Sequence, residues 1–306
     1  MKAIRLHART DPPAFAYEDV PRPQPGAGEV LVAVHAAAVT PSELLWAPTS
    51  ITRTGEPRPL PLILGHEFSG AISAVGPGVT DLAAGEAVFG MNDWFRDGAQ
   101  AEYCVARAAD VAAKPRGVDH VAAAVTPISA LTAWQGLIER AHLAPGQHVL
   151  VHGAAGAVGG FAVQLARWRG ARVTGTASAS NLDRVRALGA AEVIDYGAAR
   201  FEDAVRDVDV VFDTVGGETL ARSWGVLKPG GNLVTVAASA EQTRDPRARE
   251  AFFIVEPNRP QLAEIAGLID TGVLHPDVGG VFPLAEARRA YASKPAHGKS
   301  VLRVGD

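Results

Sequence analysis

The sequence predicts an α/β protein in which a doubly wound parallel sheet is accompanied by a smaller, β-rich domain. Two observations carry this prediction. From about residue 118 onward, short apolar strand candidates alternate with helical stretches, which is typical of parallel strands joined by crossover helices. Before residue 118 the strand candidates are short, rich in turn residues and irregularly spaced, which indicates a small barrel or a partly open sheet.

The N-terminal section contains one clear strand and several shorter ones. Pro21, Pro23 and Pro25 form a stiff approach to residues 30–35, where Val recurs at every second position. Further strand candidates lie at residues 70–75, 86–90 and 100–105, each bounded by Gly, Pro or Asp. This spacing predicts the β-rich domain.

The central section predicts six strands, at residues 149–151, 171–174, 192–194, 208–212, 232–236 and 252–255. The last section predicts helices at 261–270 and 284–292 and a closing strand at 300–304, and we expect it to return to the first domain. The predicted domains are therefore residues 1–117 with 256–306, and residues 118–255.

Charge and hydropathy limit the classes of partner. The 29 basic and 33 acidic residues give a net charge of −4, which offers no positive field for nucleic acid or anionic lipid. The longest apolar stretches are shorter than the roughly 18–20 residues of a bilayer span, and no charged-then-apolar signal opens the chain. We expect a cytoplasmic protein that acts on a small molecule, without nucleic-acid or membrane partners.

The chain has a single cysteine, Cys104. One thiol cannot form an internal disulfide or supply the several sulfur ligands of a typical structural zinc site, so a metal site would depend on His and carboxylates. We expect no metal. Cys104 lies in an apolar run, which favours a buried small hydrophobe over a catalytic nucleophile.

A glycine-rich loop follows the first strand of the central section. Gly153, Gly156 and Gly159 are spaced G-x-x-G-x-x-G and precede a predicted helix at residues 160–168. Glycines at such a turn let backbone amides approach a pyrophosphate at the positive end of the helix. The alternative is simple close packing of helix on strand. The position on the first strand of an α/β pattern favours a dinucleotide.

The end of the second strand indicates which dinucleotide binds. NAD sites usually carry an acid there, about 20 residues past the first glycine, but this chain has none between Thr174 and Ser178, and its next acid is Asp183. A hydroxyl at Ser178 and the nearby Arg184 suit a 2′-phosphate, which favours NADPH. Ser178 or Ser180 could also cap a helix at 181–188.

Further motifs carry a family resemblance over nearly the whole chain. Residues 65–70 read Gly-His-Glu-Phe-Ser-Gly, residues 75–79 read Val-Gly-Pro-Gly-Val, and residues 85–90 read Gly-Glu-Ala-Val-Phe-Gly. With the glycine-rich loop, these resemble the medium-chain dehydrogenase/reductase superfamily, in its zinc-independent quinone oxidoreductase-like branch. The resemblance implies a GroES-like β-barrel substrate domain, a Rossmann domain, an active site in the cleft, and a homodimer through an edge strand at Phe252–Val255.

The resemblance also bears on metals. Zinc-dependent members use a cysteine near Thr40, the His of the Gly-His-Glu string and a second cysteine near Pro127; both cysteines are missing here. His66 and Glu67 are therefore expected to be structural rather than metal ligands.

The predicted site combines the resemblance with the local chemistry. The catalytic candidates are Thr40, Trp46 and Thr126, and the aromatic rings of Trp46, Trp94 and Phe95 suggest a flat acceptor, with packing beneath a loop as the alternative. The candidates for cofactor binding are Thr132, Ala155, Gly156, Ala157, Val158, Ser178, Arg184, Tyr196, Phe253, Val255 and Lys299.

The chemistry that these features predict is hydride transfer. The sequence shows no pattern that names a general acid, so a quinone or an α,β-unsaturated carbonyl is the favoured acceptor, because the added charge delocalises onto oxygen. One alternative is an enoyl reductase or reductive cyclase in a biosynthetic pathway. Another is a non-catalytic NADPH-binding protein.

Overall fold

The structure, a computed structural model, describes residues 1–238 and 242–305. Its strands are β1 (Lys2–Ala8), β2 (Ala14–Asp19), β3 (Glu29–Val39), β4 (Leu62–Ile63), β5 (Glu67–Val75), β6 (Ala87–Met91), β7 (Tyr103–Arg107), β8 (Val111–Ala113), β9 (His148–His152), β10 (Arg172–Ala177), β11 (Glu192–Asp195), β12 (Val208–Asp213), β13 (Leu227–Thr235), β14 (Val278–Pro283) and β15 (Lys299–Arg303).

The helices are α1 (Ala47–Ser50), α2 (His120–Ala124), α3 (Pro127–Trp134), α4 (Ala157–Trp168), α5 (Leu182–Leu188), α6 (Phe201–Ala204), α7 (Gly217–Ser223), α8 (Pro246–Ala251), α9 (Arg259–Asp270) and α10 (Ala287–Ala292). A 3-10 turn at Pro41–Leu45 precedes α1, and a π-helical stretch at Gln135–Arg140 continues α3. None of the helices in the described part of the chain has the length and hydropathy of a membrane span.

The chain divides into two compact units. The first comprises Met1–Ile128, Pro257–Gly272 and Pro276–Asp306, and the second comprises Ser129–Glu256 and Val273–His275. The first unit extends past residue 117 to Ile128 because α2 packs on β3 and β5. The helix α2 therefore belongs with the N-terminal strands.

The first unit contains a seven-stranded and a three-stranded sheet. The larger has the order β14-β15-β3-β5-β6-β8, with β7 also paired to β3, and the smaller has the order β2-β1-β4. β15 pairs antiparallel with β3, so the end of the chain lies in the same sheet as the N-terminal strands. Apolar side chains such as Leu6, Phe68 and Leu302 are fully buried in its core. The strand β14 had no counterpart in the sequence prediction, since two glycines interrupt its apolar pattern.

The second unit contains a five-stranded parallel sheet with the order β11-β10-β9-β12-β13. Its apolar central strands are buried, and the strand order reverses direction at β9, where ligands commonly bind in doubly wound folds. The predicted α/β class is confirmed: a doubly wound parallel sheet is accompanied by a second, β-rich unit.

The predicted sixth strand at Phe252–Val255 is wrong. Only Phe252 forms a bridge, to Thr235 of β13, and the segment is otherwise extended without a ladder. The reason is where its N–H groups go: that of Phe252 ends α8 by donating to Ala248, and that of Glu256 donates to the Gln135 side chain. The N–H of Phe253 donates to the Thr235 carbonyl at 3.2 Å, so the backbone is held by one contact with β13, a helix end and a side chain, and not by a continuous ladder.

Candidate functional site

The glycine-rich loop joins β9 to α4 in the second unit. Gly153 has φ +69°, and a Cβ at Gly159 would lie 2.1 Å from the carbonyl oxygen of Gly153. Both positions therefore require glycine. Gly156 is the exposed N-cap of α4 and makes no side-chain cap hydrogen bond, so the first-turn amides at Ala157 and Val158 have no capping side chain. The loop and helix end form the kind of cradle that holds a pyrophosphate.

His152, at the end of β9, ties this loop to α7. Its Nε2 lies 3.0 Å from the Ser223 hydroxyl, which itself donates to the Thr219 carbonyl, and its Nδ1 lies 3.1 Å from the Thr176 hydroxyl. Since Ser223 has used its proton, His152 donates from Nε2 and accepts at Nδ1. Burial lowers the pKa of His152 to about 4, which agrees with a neutral ring.

The end of β10 lies next to polar side chains. Ser178 Oγ accepts a hydrogen bond from Asn181 and lies 3.2 Å from Ser180 Oγ. Asp183, the first acid after β10, is exposed and pairs with Arg186 on its own helix. Arg184 lies half-buried on α5. Ser178 precedes a 3-10 turn at Ala179–Asn181 but makes no cap bond to the backbone, and the N-cap of α5 is Asn181 rather than Ser178 or Ser180, so the structure does not support the capping alternative.

A cavity of about 560 Å³ opens beside this strand end. Its lining includes His152, Thr176, Val215 and Arg222. Tyr196 also lines the cavity, and 67% of its surface is exposed. The cavity is mainly formed by the ends of parallel strands and the loops after them, where nucleotides bind in open α/β sheets.

In the first unit, the residues after β3 form a tight turn. Thr40 precedes the 3-10 turn, and its buried Oγ1 has no hydrogen-bond partner among the described residues. Trp46 ends the turn, half-buried, and its ring contacts Trp94 edge to face at 4.9 Å. Phe95 lies instead under the guanidinium of Arg53, at 4.7 Å. Trp46 and Trp94 thus contact each other, whereas Phe95 packs elsewhere, and the choice between an acceptor surface and packing beneath a loop stays a prediction.

Beneath these rings lies a buried Glu43–His66 pair. His66 Nδ1 is 2.7 Å from the Glu43 carboxylate, and His66 Nε2 is 3.1 Å from the Arg96 carbonyl. Each side chain is 1% exposed. Burial alone would lower the pKa of His66, but the charge and hydrogen bond of Glu43 outweigh it and raise the pKa.

The adjacent Glu67 pairs with Lys299 of β15. The ammonium of Lys299 donates to one carboxylate oxygen, and the other accepts the N–H of Ile128 at 2.9 Å. Burial raises the pKa of Glu67, and Lys299 partly opposes the shift. His66 and Glu67 thus make hydrogen bonds within the chain. Among residues 1–238 and 242–305, no cluster of three or more His, Cys, Asp or Glu side chains could hold a metal ion.

The other predicted residues occupy buried positions. Thr126 is fully buried and donates to the Ala122 carbonyl, and Thr132 is buried on α3. Phe253 lies under the guanidinium of Arg140, at 4.8 Å, and Val255 is buried nearby in the chain. Their contacts with a cofactor, and that of Lys299, stay predictions. Cys104 is buried, as predicted, and burial raises the pKa of its thiol to about 12.

Glu43 and Arg58 are also buried in this region, although the sequence pattern did not single them out as site residues. Arg58 is 8% exposed and donates to the carbonyls of Pro48, Trp94 and Arg96. The only available signal was an acid placed shortly after Thr40-Pro41 and 23 positions before the His of the Gly-His-Glu string.

Two family models match separate ranges of the chain. Residues 26–116 match the alcohol dehydrogenase GroES-like domain, and residues 188–302 match the zinc-binding dehydrogenase model.

Curated relatives cover most of the chain. A probable zinc-binding oxidoreductase, mitochondrial, of Arthroderma benhamiae is 32% identical over 93% of this chain and 91% of its own length. An NADPH-dependent alkenal/one oxidoreductase, chloroplastic, of Arabidopsis thaliana is 31% identical over 90% of this chain and 72% of its own. The polyketide synthase GfsB of Streptomyces halstedii is 37% identical over 80% of this chain, which spans only 5% of that synthase.

Solved structures resemble the whole chain. The quinone oxidoreductase from Coxiella burnetii superimposes with a TM-score of 0.90 and 30% identity, covering 100% of this chain and 99% of that one. Mycobacterial Rv1454c complexed with NADPH gives 0.81 and 30%, covering 99% of each chain. CurK enoyl reductase gives 0.83 and 26%, covering 99% of each.

Proposed function

Since the chain belongs to the medium-chain dehydrogenase/reductase superfamily, in its zinc-independent quinone oxidoreductase-like branch, we propose that it transfers hydride from NADPH to a quinone or an α,β-unsaturated carbonyl. The observation that carries the proposal is the glycine cradle at α4, combined with a strand β10 that is followed by Ser178 rather than by a carboxylate. NADPH would supply the hydride.

The chain's own residues would bind and orient the cofactor. The backbone at Ala155, Gly156, Ala157 and Val158 would hold the pyrophosphate, because amides at a helix N-terminus favour an anion. Ser178, Arg184 and Tyr196 would bind the 2′-phosphate through hydroxyl and guanidinium donors. Thr132, Phe253, Val255 and Lys299 are proposed as the remaining cofactor contacts.

Residues of the first unit would orient the acceptor. The Thr40 hydroxyl is buried without a partner among the described residues, so it can donate to an acceptor carbonyl. Trp46 offers an aromatic surface next to Trp94, which suits a flat, conjugated molecule. Thr126 is proposed as a further wall of the pocket. A conjugated acceptor requires no strong acid, because solvent can supply the proton after hydride transfer.

The test of the activity is an acceptor panel. We expect the purified protein to oxidise NADPH in the presence of quinones or enones, measured by loss of nicotinamide absorbance, and to use saturated ketones poorly. Tight NADPH binding without turnover on any of these acceptors would instead support the non-catalytic alternative.

The test of the cofactor is the substitution Ser178→Asp. A carboxylate at this position would repel the 2′-phosphate, and we expect NADPH affinity to fall on the order of tenfold or more, while NADH affinity stays the same. Thr80→Asp, at an exposed position of the first unit, is the matched control. A wild-type preference for NADH in titration calorimetry would contradict the assignment.

A second candidate function is an enoyl reductase or reductive cyclase in a biosynthetic pathway. It is favoured by the 37% identity to a segment of a polyketide synthase and by the similarity to CurK enoyl reductase. The acceptor panel separates the two when it includes an enoyl thioester, because the candidate predicts a higher kcat/KM for the thioester than for simple quinones.

We also propose a homodimer and a cytoplasmic location. Ile254 is 58% exposed between the buried Phe253 and Val255, so residues 252–255 offer an extended apolar segment for a second copy. A dimer in light scattering, converted to monomer by Ile254→Asp, would support this; a monomeric wild type would not. The cytoplasmic location rests on the single buried Cys104 and is tested by cell fractionation.

A further inference from the structure

We propose that His66 is a doubly protonated imidazolium, paired with Glu43, and that this buried ion pair positions Thr40 and Trp46 for the acceptor. The positioning role rests on the proposed function, whereas the charge of His66 does not. The positive charge of the His66 side chain would thus hold in place the polar residues beneath Thr40 and Trp46.

The hydrogen-bond partners of His66 require both ring protons. The carbonyl oxygen of Arg96 can only accept, so Nε2 must donate to it across 3.1 Å. The Glu43 carboxylate, 2.7 Å from Nδ1, also accepts when it is ionised. Both of its oxygens lie 3.2 Å from the N–H of Gly65, a symmetrical contact that suits a carboxylate rather than a protonated acid.

The surroundings of the His66 ring are compatible with a charged imidazole. The rings of Trp94 and His66 lie 5.2 Å apart, tilted by 48°, which is close enough for an attraction between a cation and the indole. Glu43 is the anion nearest to His66, and Arg58 opposes the positive charge more weakly.

The surrounding charged groups are balanced in the same way. Glu67, which faces Glu43, forms an ion pair with the Lys299 ammonium. Tyr291 also faces Glu43, and its hydroxyl exchanges hydrogen bonds with the Gln100 amide. With His66 charged, each buried carboxylate of this cluster therefore has its own cation.

Glu43 connects this charge to the acceptor residues. Its backbone N–H donates to the Thr40 carbonyl at 2.9 Å, and its own carbonyl accepts from the Trp46 N–H at 3.1 Å and the Thr49 hydroxyl at 2.6 Å. The position of Glu43 is in turn set by its side-chain bonds to Gly65 and His66. A shift of the ion pair would therefore move Thr40 and Trp46 together.

The first arm of the test measures the charge of His66 directly. The nitrogen chemical shifts of its ring, recorded by NMR on the uniformly ¹⁵N-labelled wild-type protein at neutral pH, are expected to show both nitrogens protonated. One unprotonated nitrogen, as in a neutral ring, would overturn the proposal. This arm needs no substitution and no turnover.

The second arm uses Glu43→Gln, which keeps the side-chain length and one acceptor oxygen but removes the charge. We expect His66 to lose one proton, and KM for the acceptor to rise about tenfold through misplacement of Thr40 and Trp46, while the Kd of NADPH stays unchanged. Glu18→Gln is the matched control, because Glu18 pairs with His7 on the surface of the same unit and is expected to leave both constants unchanged.

The pH dependence of KM for the acceptor provides a further test, because a general loosening of the structure would not shift it. In the wild type, KM for the acceptor should rise only above the pH at which His66 loses its proton, and in Glu43→Gln this rise should move to lower pH. An unchanged KM and profile in Glu43→Gln would overturn the positioning role. If no acceptor is turned over at all, the proposed function fails, and the nitrogen shifts still decide whether His66 is an imidazolium.

Discussion

Two buried histidines, one in each unit, stand in opposite protonation states. His66 and His152 are 2% and 1% exposed, so burial disfavours the charged form of both. His66 faces a carboxylate and a carbonyl, which only accept hydrogen bonds. His152 faces two hydroxyls, one of which can donate to it. The partners therefore decide the charge when burial is the same.

Because folding shifts the two pKa values in opposite directions, the two histidines stabilise the protein over opposite pH ranges. The pKa of His66 is raised on folding, so its contribution is present below the unfolded value of 6.5 and is lost as pH rises through the folded pKa. The pKa of His152 is lowered to about 4, so its contribution is present above 6.5 and is lost as pH falls through 4.

Replacing the charged histidine should have the largest effect. His66→Phe leaves the Glu43 carboxylate buried without its cation, and we expect the free energy of unfolding of the first unit to fall by about 3–5 kcal/mol. The measurement is urea unfolding followed by tryptophan fluorescence. His7→Phe, at the exposed pair, should cost less than about 0.5 kcal/mol; a similar cost for both variants would contradict the ion pair.

Protonation of His152 should lower the free energy of unfolding at acid pH. We expect the wild type to lose about 3 kcal/mol of unfolding free energy between pH 6.5 and 4 through His152. His152→Gln keeps one donor and one acceptor but cannot be protonated, so its pH dependence should be shallower by that amount. Thermal unfolding across this pH range measures both proteins, and parallel curves would show that His152 does not titrate as inferred.

Removing one hydrogen-bond partner of His152 should have the smallest effect on the free energy of unfolding. Ser223→Ala removes the acceptor of the His152 Nε2–H and leaves this donor buried, which should cost about 1–2 kcal/mol. In His152→Gln the same substitution should cost a different amount, because the two residues share one hydrogen bond. Strictly additive free energies in the double-mutant cycle would exclude the bond.

The glycine-rich loop was predictable because its requirements are local. Gly153 needs a positive φ and Gly159 needs room beside a backbone carbonyl only six residues away, and both demands are written in the spacing of the glycines. The ion pairs were not predictable in this way. Glu43 meets His66 across 23 residues and Glu67 meets Lys299 across 232, and such pairings depend on how β3, β5 and β15 lie together in one sheet.

The segment 252–255 shows the limit of apolar pattern. Its residues resemble a strand, yet the backbone donors of Phe252 and Glu256 go to the end of α8 and to Gln135. Hydropathy reports burial and does not report which hydrogen-bond partner the backbone finds.

By itself, the sequence determined the α/β class, the glycine cradle and the absence of an acid at the end of β10, because periodicity, glycine geometry and residue type are local properties. Only the tertiary structure decided that His66 has two acceptors whereas His152 has one donor and one acceptor. A histidine carries no sign of its charge in the sequence, since protonation in a buried site is set by partners that folding brings from distant parts of the chain.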